Sequence, residues 1–132
     1  MNVVVMGCTR VGALVSRSLA EEGNSVTVLD TNEENLRRLP DSLGITTLLG
    51  DGTLEQDLKR AGIEEADAFL AVDPRDARNA LAAQKVQQMF GVAKVVCQIA
   101  DPARQEMYRA LGLEALSPAK TVSRMLLDAV RG

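Results

Sequence analysis

The feature that most constrains this fold is a sixfold alternation of short aliphatic runs with amphipathic helical patterns. The aliphatic runs lie at residues 3–6, 25–29, 45–49, 68–72, 94–99 and 115–116. Such short continuous runs are typical of strands buried on both faces, and a helix between two strands favours a right-handed parallel crossover. We therefore predict one α/β domain over residues 1–132, with a doubly wound, Rossmann-like parallel sheet of six strands in the order 3-2-1-4-5-6.

Capping signals predict where the helices begin. Two segments have the spacing of a capping box: Thr31 with Glu34, and Thr53 with Gln56. Pro40 is expected to end the second helix. Three dipeptides place a capping side chain before a proline at the first helical position: Asp73-Pro74, Asp101-Pro102 and Ser117-Pro118.

Two helices carry apolar faces that predict packing. In the first helix, one face is expected to pack on the sheet through Val11, Leu14, Val15 and Leu19. The last helix, residues 119–130, is apolar on more than one face, through Val122, Met125, Leu126, Leu127, Ala129 and Val130. This apolar surface is broader than a helix covering one sheet face needs, and one explanation is a helix wedged fully into the core of its own chain.

The composition excludes several functional classes. The formal net charge is −3 and aromatic residues make up 2% of the chain, which disfavours nucleic-acid binding. Histidine is absent, which removes the commonest general base and transition-metal ligand. Cys8 and Cys97 form no metal or redox motif. With neither a signal peptide nor an apolar run of ~20 residues, we expect a soluble, cytoplasmic chain without direct membrane insertion.

A candidate phosphate-binding turn follows the first strand. Its residues are Gly7, Cys8, Thr9, Arg10, Val11 and Gly12. Gly7 suits the tight turn and Gly12 the close packing of helix on strand, while the amides that begin the helix attract an anion. Thr9 replaces the middle glycine of GxGxxG, so its Cβ narrows the approach of a pyrophosphate although its hydroxyl is able to donate to one. Arg10 adds a positive charge. The alternative is a turn without a ligand.

Acidic residues at the ends of neighbouring strands extend the candidate site. Asp30 lies 18 residues after Gly12, where a carboxylate accepts hydrogen bonds from ribose hydroxyls and repels the 2′-phosphate of NADP. Thr31 follows it directly. Asp51, Gly52 and Thr53 come after the third strand, where they are expected near an adenine. Val72 and Asp73 end the fourth strand and are expected to form the facing wall. Helix capping is the alternative for these aspartates.

Taken together, these segments resemble the TrkA N-terminal (KTN, or RCK N-lobe) domains of bacterial potassium-transport regulators. The resemblance rests on the following segments: MNVVVMGCTRVG at 1–12, VTVLD at 26–30, GDGT at 50–53, AGIEEADAFLAV at 61–72, NALAA at 79–83, and 99–118 with its Gly112-Leu113 and Ser117-Pro118. It implies a cytoplasmic regulator that binds NAD(H), ATP, ADP or AMP and docks on a membrane potassium transporter or channel. It also implies a homodimer, built through the last helix and extending in some assemblies to a ring. Asn79 is then expected near the mouth of the cleft.

Three departures from the family pattern bear on binding. They are Thr9 for glycine, Gln98 for a common arginine, and Ala119 for a glutamate that some relatives use at a cation site. We therefore expect no metal site. The sequence also lacks the family's C-terminal regulatory domain, so we expect either an isolated domain or a single-domain subunit. A small NAD-dependent oxidoreductase, or a fragment of one, is the alternative function.

Overall fold

The predicted parallel sheet is present in the computed structural model, which describes residues 1–40 and 44–132. The strands are β1 (Asn2–Met6), β2 (Ser25–Asp30), β3 (Thr46–Leu49), β4 (Ala68–Ala71), β5 (Lys94–Gln98) and β6 (Glu114–Leu116). Every neighbouring pair is parallel, and the order is β3-β2-β1-β4-β5-β6. The predicted fold class and strand order are therefore confirmed.

Helices connect the strands as predicted. They are α1 (Arg10–Glu21), α2 (Glu33–Leu36), α3 (Glu55–Arg60), α4 (Asp76–Lys85), α5 (Pro102–Ala110) and α6 (Pro118–Arg131). A 3₁₀ turn at Ile63–Glu65 precedes β4, and a π-helical turn at Val86–Phe90 extends α4. Gly91 then ends this segment at φ 61°, a left-handed conformation that favours glycine.

Two of the predicted helix starts are confirmed. The side chain of Asp101 accepts a hydrogen bond from the Ala103 amide, and that of Ser117 accepts one from the Lys120 amide. In both cases proline follows the cap, where its missing N–H costs no intrahelical hydrogen bond.

Three other predicted helix starts are wrong, and at two of them an aspartate carboxylate is engaged within the turn before the helix. Helix α2 is capped by Asn32 rather than Thr31, and helix α3 begins after Leu54 with no capping side chain. Helix α4 begins two residues beyond Pro74, since the Asp73 carboxylate accepts a hydrogen bond from the Arg75 amide. Helix α2 ends at Leu36, and i to i+3 turns continue the chain to Leu39 before Pro40.

The predicted buried face of α1 is also largely wrong. Gly12, Ala13 and Ser16 are the buried residues of this helix, whereas Val11 and Leu14 are 48% and 64% exposed. Val15 is half-buried, and only Leu19 packs against the core as expected. Small residues face the sheet because α1 lies very close to it: a Cβ on Gly12 would lie 2.1 Å from the carbonyl oxygen of Gly7.

The core forms one aliphatic cluster on each face of the sheet. On the first face, Ala80, Ala82 and Ala83 of α4 and Val86 of the π-helical turn form a cluster with Phe69 and Val95 of the sheet. On the second face, Val3, Val5, Val26 and Val28 pack with Ala13 of α1 and Leu36 of α2. Helix α6 has no buried residue, which excludes the alternative that it is wedged into the core of its own chain. Among residues 1–40 and 44–132, no helix has the length and hydropathy needed to cross a membrane.

Candidate functional site

The candidate residues meet at the carboxyl edge of the sheet. Gly7, Asp30, Gly50 and Val72 directly follow or end the four adjacent strands β1, β2, β3 and β4. Parallel strands present their carboxyl ends at one edge, and the order of connections reverses between β1 and β4. The structure thus brings together, at one crevice, most of the segments that the sequence singled out.

The phosphate turn is packed tightly against the turn after β4. Gly7 has φ 107°, and its amide donates to the Leu29 carbonyl at 2.8 Å. A Cβ on Gly7 would lie 2.7 Å from the Asp73 backbone nitrogen. Glycine is therefore required at position 7 both by the backbone conformation and by the close approach of the facing wall.

Thr9 occupies the position of the missing middle glycine and connects the phosphate turn to the facing wall at Val72. Its hydroxyl oxygen accepts a hydrogen bond from the Gly12 amide and donates one to the Val72 carbonyl, each at 3.1 Å. Thr9 thus caps α1 and engages one of the amides that an anion would otherwise contact. The neighbouring Arg10 is exposed, whereas Val11 lines an apolar groove together with Val15.

Asp30 connects the second strand to the phosphate turn. One carboxylate oxygen accepts a hydrogen bond from the Cys8 amide at 2.8 Å. The other accepts from the Asn32 amide at 2.8 Å and from the Asn35 side-chain amide at 3.1 Å. A carboxylate has about four acceptor positions, so Asp30 retains capacity for a ribose hydroxyl. Thr31 is exposed beside it.

Arg38 is a second cation at the phosphate turn that sequence reasoning missed. Its guanidinium donates to the Cys8 carbonyl at 3.3 Å, and with Arg10 it borders a hollow of about 440 Å³. Burial and the charge of Asp30 raise the pKa of the Cys8 thiol, and the charge of Arg38 opposes them. No local motif marks Arg38, because it reaches the turn from a position 30 residues away in sequence.

The GDGT turn after β3 folds back over the end of β1. A Cβ on Gly52 would lie 2.4 Å from the Met6 sulfur, so any larger residue there requires the buried Met6 side chain to move. One oxygen of Asp51 accepts hydrogen bonds from the Thr53 amide at 2.9 Å and from the Thr53 hydroxyl at 2.7 Å. These two bonds explain why Thr53 is not available to cap α3.

Arg78 on α4 holds this turn against the facing wall and is the second residue that sequence reasoning missed. Its Nη2 lies 2.7 Å from Asp51 Oδ1, and its Nε lies 3.5 Å from Asp73 Oδ2. Partial burial raises the pKa of the Asp51 carboxyl, but hydrogen bonds from Arg78 and Thr53 outweigh this effect and lower it to about 2. Both members of the pair therefore stay charged at neutral pH. One helical face presents both Arg78 and Lys85, and the Lys85 ammonium donates to the Thr53 carbonyl at 2.7 Å.

Asn79 is buried beneath the turn after β4. Its side-chain oxygen accepts from the Asp73 amide at 2.9 Å, and its side-chain nitrogen donates to the carbonyls of Asp73 and Gln98 at 2.7 and 2.9 Å. The amide group is thus fully used by the backbone, and Asn79 positions Asp73 and Val72. Both of these residues are buried in the wall.

A match to a family model decides the relationship of this chain. Residues 3–118 match the TrkA-N domain. The chain belongs to the TrkA-N family. This confirms the resemblance inferred from the sequence.

Relatives of this TrkA-N domain carry names from potassium uptake. The Trk system potassium uptake protein TrkA of Streptomyces coelicolor is 39% identical over 96% of this chain and 57% of the relative. A TrkA homolog of Pyrococcus abyssi is 32% identical over 82% of this chain and 48% of the relative. The chain therefore spans about half the length of these relatives.

Solved structures share the fold at low sequence identity. The TrkA-N domain of the Escherichia coli inner membrane protein ybaL superposes with a TM-score of 0.85 at 16% identity, over 97% of this chain and 95% of that one. The AMP-bound Kef CTD of Shewanella denitrificans gives 0.81 at 18% identity, over 99% of this chain and 80% of that one. The ADP-bound GsuK structure gives 0.81 at 19% identity, over 95% of this chain and 32% of that one.

Proposed function

We propose that this TrkA-N domain binds NAD(H) or an adenine nucleotide in the crevice at the carboxyl edge of the sheet. One observation carries the proposal: the Asp30 carboxylate accepts a hydrogen bond from the Cys8 amide of the phosphate turn. The group suited to ribose and the turn suited to phosphate are therefore in direct contact. A nucleotide requires these two binding elements side by side.

Each part of the ligand has a counterpart among the crevice residues. The phosphate groups lie at the turn formed by Gly7, Cys8, Thr9 and Gly12, with Arg10 and Arg38 as cations. The ribose binds Asp30 beside Thr31, and the carboxylate disfavours NADP. The adenine borders Asp51, Gly52 and Thr53, facing the wall formed by Val72 and Asp73, which Asn79 supports from below.

Structural neighbours support this choice of ligand class. Related folds are described as an AMP-bound Kef CTD and as GsuK bound to ADP and to NAD. These neighbours are under 25% identical to this chain, so they supply the range of candidate ligands, while the crevice residues support nucleotide binding.

We further propose that the domain regulates a membrane potassium transporter or channel from the cytoplasmic side. The names of the relatives point to potassium uptake, which favours a regulatory role over an NAD-dependent oxidoreductase. Regulation requires that the ligand bind two shapes of the assembly with different affinity. Thr9 and Arg78 each connect separate secondary-structure elements at the crevice, so their hydrogen bonds are suited to change when a ligand binds there.

A homodimer, as the basic unit of any ring assembly, is proposed from the unpartnered surface of α6. An apolar groove of about 320 Å³ lies between α1, α6 and the sheet, and its lining includes Val15, Leu70, Val96, Leu116 and Val122. Helix α6 also exposes Met125, Leu126, Leu127 and Val130. A second copy that supplies the same helix would cover both surfaces, as in an isologous interface.

Calorimetric titration with NAD, NADH, ATP, ADP, AMP and NADP tests the nucleotide site. We expect binding of at least one adenine ligand, with NADP weakest among the dinucleotides. Asp30→Asn should weaken the best ligand roughly 5- to 150-fold, or about 1–3 kcal/mol, because a charged acceptor is lost.

Asp67→Asn is the matched control for this experiment. Asp67 accepts a hydrogen bond from the Asn2 amide at 2.8 Å, which makes it a similar backbone-binding carboxylate at the opposite edge of the sheet. It should leave ligand affinity unchanged. The proposal fails if the wild-type protein binds none of the six ligands, or if both variants lose the same affinity.

A further inference from the structure

Arg78 spans an unusual distance across the crevice. It pairs with Asp51, which follows β3, and with Asp73, which follows β4, although β2 and β1 lie between those strands. Strands are spaced by about 4.8 Å, so the ends of β3 and β4 lie roughly 14 Å apart. The bridge is possible because the GDGT turn folds back onto Met6 and the Asp73 turn packs on Gly7.

Negative charge is concentrated at the same edge of the sheet. Asp30 ends β2, Asp51 follows β3 and Asp73 follows β4, so three of the four strands that form the crevice carry an aspartate at this edge. Each carboxylate repels the phosphate groups of a ligand, and the repulsion grows with the number of phosphates. The Arg78 side chain is only 22% exposed, so its charge is screened by water less than that of a surface arginine.

We propose that Arg78 determines the specificity of this crevice for ligands with more phosphate groups, by offsetting the charge of Asp51 and Asp73 and by holding the GDGT turn in place. The inference rests on the proposed nucleotide site and adds the ligand class that this site prefers. The two effects of Arg78 are separable: fixing the turn acts on every adenosine ligand alike, whereas charge compensation acts in proportion to phosphate number.

Arg75 provides a matched comparison within the same segment. It also pairs with Asp73, at 3.3 Å, but its side chain is 64% exposed, and of the two arginines it is Arg78 that forms an ion pair with Asp51. Removing either arginine changes the net charge equally. Only the removal of Arg78 breaks the bridge and leaves two shielded carboxylates without their shared cation.

The experiment titrates adenosine, AMP, ADP and ATP into the wild-type protein, Arg78→Gln, Arg78→Lys and Arg75→Gln. For Arg78→Gln, we expect ATP affinity to fall about tenfold or more and adenosine affinity to fall less than about threefold, with AMP and ADP between them. Arg75→Gln should change every affinity by less than about threefold. Arg78→Lys keeps the charge but loses the planar fork, so it should keep the ratio of ATP to adenosine affinity.

Several results would overturn the inference. An equal loss for adenosine and ATP in Arg78→Gln would reduce Arg78 to a structural support of the turn, and no loss would make it a bystander. In either case the proposed function stands, because the wild-type protein still binds. Absence of wild-type binding would defeat the proposed function itself and the inference with it. If Arg78→Gln does not fold, Arg78→Lys decides, since a lower ratio of ATP to adenosine affinity in that variant would contradict the proposed role of charge.

Discussion

The two faces of the sheet are covered in different ways. On the face covered by α4 and α5, helix α4 buries three alanines against the strands, and the chain completes its own core. On the opposite face, α1 and α2 cover β1 and β2, but the groove over β4, β5 and β6 stays open beneath α6. The more apolar helix is the exposed one, since α6 presents three leucine or valine side chains at least 50% exposed and has no buried residue.

This difference shows that the apolar content of a helix predicts that its surface will be buried, but does not predict which surface will cover it. Helix α4 carries small residues on its packing face, which suits close contact with the sheet. Helix α6 carries large residues around much of its circumference, more than one sheet face can cover. The chain thus covers one face by itself, and the open groove on the other face supports the proposed dimer.

The largest expected effect is at the tightest contact, between α1 and the phosphate turn. Gly12→Ala places a Cβ 2.1 Å from the Gly7 carbonyl oxygen, which is backbone and cannot turn aside. We expect the free energy of unfolding to fall by about 3 kcal/mol or more, despite the higher helix propensity of alanine. Urea denaturation measures this change.

Ser18→Ala is the control for Gly12→Ala, because Ser18 lies on the exposed side of the same helix. Its unfolding free energy should change by no more than about 0.5 kcal/mol. If Gly12→Ala were as stable as the wild-type protein, α1 would have to lie farther from the phosphate turn. The close packing inferred for this part of the α1 face would then be wrong.

The fold was predictable because six strands and their connections leave a strong periodic signal. The local packing of individual side chains was not predictable, and the first helix is an example. Its bulky residues Val11 and Leu14 formed the obvious apolar face, yet Gly12 and Ser16 pack on the sheet. The helix approaches the preceding turn closely at Gly12, and a pattern of hydrophobic residues does not show how close two backbone segments come.

The next largest effect is expected on the open face, where the apolar groove lies beneath α6. Val122 lines the groove and is 50% exposed, so Val122→Glu leaves the core of one chain intact. In the proposed dimer this position is buried, and an unpaired carboxylate there is costly. We expect the dimer dissociation constant to rise at least about tenfold, measured by sedimentation, with little change in monomer stability.

Leu111→Glu tests whether the open face is the interface. Leu111 is similarly exposed but lies at the end of α5, the helix on the completed face. The dimer should survive this change. Dissociation by Leu111→Glu alone would move the interface to the completed face, and a monomeric wild-type protein would contradict the proposed dimer.

The candidate site divides in the same way into predictable and unpredictable parts. The places of Gly7, Gly12 and Asp30 follow from spacing, because the turn after β1 and the end of β2 have a fixed relation in this fold. Arg38 and Arg78 do not follow, since each reaches its partner across 27 to 30 residues of sequence. Asn79 was expected at the mouth of the cleft, but folding directs its whole amide to the backbone.

The smallest expected effect distinguishes the two roles open to Thr9. Thr9→Gly removes the hydroxyl that caps α1 and the bond to the Val72 carbonyl, so the unfolding free energy should fall by about 1 kcal/mol. It also frees the Gly12 amide and removes a Cβ, so ADP should bind roughly three- to tenfold more tightly by calorimetry while adenosine is unchanged. Thr9→Ser keeps the hydroxyl and should leave both quantities near the wild-type values. Weaker ADP binding in Thr9→Gly, with wild-type binding in Thr9→Ser, would instead show that the hydroxyl donates to a phosphate. Thr9 would then be part of the ligand site and would not restrict access to it.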